Sequence, residues 1–62
     1  MELLRESFLK TYANIPINLR NDVIIVLEGV GSISWNVAYL EIKNNTEISK
    51  RILEELRQLE LI

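Results

Sequence analysis

The run Val23, Ile24, Ile25, Val26, Leu27 constrains this chain more than any other feature. It is mostly β-branched, is bounded by Asn21-Asp22 and by Gly29, and therefore predicts a strand over 22–28. A strand with one face in water alternates apolar and polar residues; an unbroken apolar run expects cover on both faces. A chain of 62 residues has little material with which to cover a sheet twice. A second copy of the chain would do so more easily, and a homodimer is the expectation.

Size points the same way. A domain near this length buries only about 60% of the surface its unfolded chain exposes, so its core is marginal unless something supplements it. The usual supplements are disulfides, a structural metal or oligomerisation. With Cys 0 and His 0, disulfides and ordinary structural zinc sites are excluded. Close packing or a partner chain remains. The apolar fraction of 48% argues against disorder, and the length allows a single domain, residues 1–62.

Either side of the run, helical periodicity dominates. Over residues 2–13, Leu4, Phe8 and Tyr12 recur at i, i+4, i+8 with Leu9 beside them, and Glu6 and Lys10 form an i,i+4 pair. Asn14 and Pro16 end that helix. Ile15, Ile17 and Leu19 then alternate with Pro16 and Asn18, which predicts an extended linker, or a short edge strand, with its apolar side chains against the core. Gly29-Val30-Gly31-Ser32 predicts a hairpin turn.

Residues 33–42 fit two periods. Ile33, Trp35, Val37 and Tyr39 alternate as in a strand, whereas Trp35, Ala38, Tyr39 and Ile42 fit a helix with Ser34 as N-cap. Alternation and aromatic content favour the strand. Thr46 is placed to N-cap a last helix bearing Ile48, Ile52, Leu56 and Leu59 with Leu53 beside them, and Glu47–Arg51, Lys50–Glu54 and Arg51–Glu55 as outer pairs. The closing Leu61-Ile62 is expected to dock on the sheet or on a neighbouring subunit. The expected fold is α+β: helix, β-hairpin, helix (αββα), a two-stranded antiparallel sheet covered by helices and extended by dimerisation.

The chemistry of most enzymes is missing. Neither His nor Cys occurs, which removes the commonest general bases and nucleophilic pairs. Glu54-Glu55 are neighbours that point about 100° apart on a helix and read as ion-paired surface. Glu28 and Glu41 could face each other across a hairpin, but two exposed strand acids are the simpler expectation. Gly29-Val30-Gly31 lacks the third glycine and the Lys-Ser/Thr of a phosphate loop. Asp22 with Asn18 and Asn21 has no calcium-loop spacing. No catalytic, cofactor-binding or metal-binding residue is assigned, and the expectation is not an enzyme.

Charge narrows the partners. Net charge is −2, and residues 1–31 and 32–62 carry three and four basic against four and five acidic residues. Nucleic-acid binding draws most of its affinity from clustered Lys and Arg, so a small nucleic-acid-binding regulator is the less favoured alternative. Lys43 and Arg20 are the candidate cations to flank Trp35 and Tyr39, too few for stacking of single-stranded nucleic acid. Val23–Leu27 is too short to span a bilayer, the N-terminus lacks a signal-peptide core, and a cytoplasmic location is expected. The interaction residues expected are Trp35, Tyr39, Ile24 and Val26, because Trp and Tyr anchor interfaces and an over-apolar strand invites a partner. The function expected is a small protein–protein interaction module, homodimeric, acting as adaptor, subunit or regulator.

From Asp22 onward the chain resembles short, uncharacterised archaeal proteins: a β-branched run ending at Glu28-Gly29, then Ser34-Trp35, Glu41-Ile42, Asn45-Thr46 and Ile52-Leu53. The resemblance implies no activity, cofactor or site. Abundant Ile, Leu, Glu, Lys and Arg without Cys hints at a thermophile, a hint that six asparagines weaken.

Overall fold

A computed structural model describes residues 2–62. Helix α1 (Glu2–Ala13) leads through a 3₁₀ turn (Ile17–Leu19) into β1 (Val23–Leu27) and β2 (Gly31–Ser34), followed by α2 (Trp35–Lys43) and α3 (Glu47–Gln58). The fold is α+β, three helices on one two-stranded antiparallel hairpin. The expected helix at 2–13 and strand at 22–28 are found within a residue at each end.

The structure corrects the second strand. It ends at Ser34, and residues 35–43 are helical. The cause is visible at its first turn, where the Val37 N–H donates to Ser34 Oγ at 3.1 Å and the Asn36 N–H donates to the Arg20 carbonyl at 2.9 Å. The helical period then places Trp35, Ala38 and Ile42 in the core, while Val37, which alternation would have put beside Trp35, is exposed. A strand here would have left the hairpin with two long faces and only two helices to cover them. As a helix, the segment supplies cover instead of demanding it.

Ten apolar residues make the core: Phe8 from α1, Ile25, Leu27 and Ile33 from the inner hairpin face, Trp35, Ala38 and Ile42 from α2, Ile52, Leu53 and Leu56 from α3. Ser49 is buried among them, and its hydroxyl is satisfied by donating to the Thr46 carbonyl. The linker departs from expectation: Ile15 packs on the core, but Ile17 and Leu19 are exposed in the 3₁₀ turn. A 3₁₀ turn repeats every three residues, so side chains that would align in an extended strand point in different directions.

Strand register follows the turn. The Val30 N–H bonds the Leu27 carbonyl at 3.0 Å, with Gly29 at φ 81 in the third position of that turn. Among the described non-glycine residues positive φ occurs only at Asn45 and Glu60, so Glu28 has negative φ and the turn is type II, which needs glycine at that third position. Ile25 pairs with Ile33, Val26 with Ser32 and Leu27 with Gly31, with an irregularity between Val23 and Ile25.

Both C-terminal helix ends close in the same way. After α2 the Thr46 N–H reaches the Glu41 carbonyl and the Asn45 N–H the Ile42 carbonyl; after α3 the Leu61 N–H reaches the Leu56 carbonyl and the Glu60 N–H the Arg57 carbonyl. These are Schellman caps with Asn45 (φ 52) and Glu60 (φ 59) in the left-handed position. Asparagine tolerates that position; glutamate there carries strain of about 1–2 kcal/mol. Glu60→Gly relieves it, less the added entropy of an unfolded glycine, and should stabilise by about 0.5–1 kcal/mol. A thermal melt should show a gain of several degrees; an unchanged or lower midpoint would mean that no strain resides at Glu60. The second cap also turns the chain back, so that Ile62 packs on the core while Leu61 stays exposed.

Candidate interaction surface

The four expected interaction residues divide between two places. Trp35 and Tyr39, one helical turn apart on α2, meet Phe8 and Tyr12, one turn apart on α1. The Phe8 and Trp35 rings lie 5.9 Å apart, and Tyr12 stacks on Tyr39 at 4.5 Å with 12° between planes. Arg20 lies over the outer side of this stack, 4.4 Å from the Tyr12 centroid, and Lys43 lies 5.9 Å from the Tyr39 centroid. Cations over aromatic faces at these distances are attracted by the ring quadrupole.

Hydrogen bonds lock this column. Tyr12 Oη donates to Asn36 Oδ1 at 2.7 Å, and Asn36 Nδ2 donates to Asn21 Oδ1 at 2.7 Å. The Arg20 guanidinium donates to the Ile15 carbonyl at 3.0 Å and to the Tyr12 carbonyl at 3.3 Å. Trp35 is thus buried and Tyr39 half-buried within an α1–α2 seam. The bonds made by Arg20 and Asn36 were not legible in the sequence; the only trace was the i, i+4 spacing of Phe8 and Tyr12 on one helix and of Trp35 and Tyr39 on the other.

Ile24 and Val26 lie on β1, where the surroundings are different. Ile24 is half-buried at the strand irregularity. Val26 points away from Ile25 and Leu27 and is 69% exposed, with Val23 at 57% in the same strand and Val30 at 43% in the turn. The cover expected for both faces of this strand is thus supplied by the chain to one face only.

Beside β1 a groove of about 580 Å³ runs between the strand and α3, lined by Val26, Leu27, Glu28, Lys50, Arg51, Glu54 and Glu55. Arg51 anchors its end by donating to the Glu28 carbonyl at 2.9 Å. Arg51 therefore joins α3 to the hairpin rather than forming the expected pairs with Glu47 and Glu55, and the Lys50–Glu54 and Glu6–Lys10 pairs are likewise not formed. Among the described residues the ion pair present is Arg57 with Glu54. Exposed pairs of this kind are weak, so a neutral carbonyl acceptor in the right place can outcompete them.

The acids considered for chemistry stay apart in role. Glu28 sits exposed in the turn, while Glu41 lies on α2 and accepts from Thr46 Oγ1 at 2.6 Å. That bond draws the Thr46 hydroxyl back toward α2, so Thr46 holds the N-cap position of α3 without its side chain capping it. No group of three or more acidic residues able to hold a metal occurs among the described residues, and no helix there is long and apolar enough to cross a membrane. No family model, curated protein or solved structure matches this chain.

Proposed function

We propose that this protein is a small protein–protein interaction module that works as a homodimer, in the role of an adaptor, subunit or regulator. The observation that carries the proposal is the hairpin: Val23 and Val26 of β1 and Val30 of its turn stand open to solvent, while the core draws only on the opposite face. Scattered exposed apolar residues are ordinary, but three within one short strand and its turn are a surface that a partner can cover. A chain with this few core residues also gains more from a partner than a large domain does.

Sedimentation equilibrium at several concentrations tests it, since the monomer mass is 7.2 kDa. A mass near twice that value at micromolar concentration is the expected result. A monomer up to the highest soluble concentration would overturn self-association.

A further inference from the structure

We propose that β1 pairs antiparallel with β1 of a second copy across a two-fold axis at Val26, joining two hairpins into one four-stranded sheet with the two α3 helices side by side beneath it. The inference rests on the homodimer proposed above and names its surface.

The strand is built for it. Sheet order is β1-β2, so β1 has one neighbour and one open edge. The Leu27 carbonyl accepts from Val30 and so faces the hairpin interior. Backbone groups of successive strand residues point to opposite sides, and within the regular part of the register, Ile25 to Leu27, the N–H and C=O of Val26 face the open edge. Val26 lines the groove there, while the next outward carbonyl, that of Glu28, is already taken by Arg51. In an antiparallel pair centred on one residue, that residue exchanges both of its bonds with its own copy. The two Val26 side chains then meet on the outer hairpin face and cover each other.

Charge selects a second copy over an unrelated strand. Along the groove, α3 carries Lys50 and Arg51, then one turn later Glu54 and Glu55; Arg51 also holds the Glu28 carbonyl and Glu54 also pairs with Arg57 of its own helix, so Lys50 and Glu55 are the uncommitted charges of the two pairs. A two-fold axis sets the helices antiparallel, bringing the basic pair of each chain opposite the acidic pair of the other. An isologous interface requires a surface that complements itself under rotation, and this sequence of charges does so. The strand edge and the helix are thus self-complementary about the same groove.

The experiment compares sedimentation equilibrium of the wild-type chain with three variants, each checked by circular dichroism for retained fold. Val26→Lys alters an exposed side chain, so the monomer keeps its core, but it sets two lysines directly across the axis, where like charges are destabilising. Its dissociation constant should rise by at least about tenfold. Lys50→Glu with Arg51→Glu makes α3 uniformly acidic along the groove, and Glu54→Lys with Glu55→Lys makes it uniformly basic. Each should be monomeric alone, and a mixture of the two should recover dimers. If the wild type dimerises while Val26→Lys dimerises equally well and the charge variants neither weaken alone nor recover on mixing, the homodimer stands but this surface is overturned. If the wild type is monomeric, the homodimer itself fails. A monomer that nevertheless binds a synthetic β-strand peptide along the Val26 edge would assign the groove to a different chain and equally overturn self-pairing.

Discussion

Trp35→Ala is expected to lower the free energy of unfolding by about 3–5 kcal/mol. The ring is 9% exposed and packs on Phe8, which is wholly buried, where the first turn of α2 crosses α1. Removing it leaves a cavity beside Phe8, which is held in place by its own helix and by its stacking on Tyr12, so collapse into the space is limited. For a chain of 62 residues the whole stability is roughly 3–9 kcal/mol at 0.05–0.15 kcal/mol per residue. The variant is therefore expected to lose a third or more of its stability. Urea melts followed by circular dichroism, at one fixed protein concentration because a dimer would make midpoints concentration-dependent, should show the transition moved to markedly lower denaturant. An unchanged midpoint would remove Trp35 from the core. Trp35→Phe, which keeps a ring against Phe8, should lose much less.

The second large effect is Leu56→Ala, expected to cost about 2–5 kcal/mol, against a change within about 0.5 kcal/mol for Leu59→Ala. Both belong to the apolar stripe of α3 and are chemically identical. Leu56 is 0% exposed, whereas Leu59, at the helix end, is 52% exposed. The same melts compare them. Equal losses would mean that the end of α3 packs against something, a partner chain included, and would redirect attention to the C-terminal turn.

That contrast shows how far periodicity reaches. The stripe Ile48, Ile52, Leu56, Leu59 identifies α3 and its inward side, yet it ranks no member above another. Ranking depends on which neighbours arrive, and besides the preceding helix α2 those come from α1 and β1, remote in the chain. The hairpin turn was similarly legible because Gly29 answers a local demand for positive φ. Ile17 and Leu19 show the opposite case, since alternation alone could not separate an extended segment from the 3₁₀ turn that exposes them.

The interaction residues divide on the same principle. Val26 was singled out because an unbroken apolar strand asks for more cover than a short chain has, and it is indeed left open at 69% exposure. Trp35 and Tyr39 were singled out as aromatic anchors, and the structure seats them against Phe8 and Tyr12. An aromatic side chain fits a core or an interface equally well, and only the arrival of α1 distinguishes the two. The charges of α3 had suggested pairs within the helix, but Arg51 turns instead to the Glu28 carbonyl, a partner 23 residues away.

By itself, then, the sequence determined the elements whose signals are local: α1 and α3 through their 3.6-residue stripes, β1 through its β-branched run, the turn through glycine, and the lack of disulfide or zinc support through Cys 0 and His 0. Tertiary structure decided residues 35–43, where two periods fitted the same side chains. Local preference is worth tenths of a kcal/mol per residue, too little to choose. Burying Trp35, Ala38 and Ile42 together against α1, α3 and the hairpin is worth several kcal/mol, and only the helix allows it.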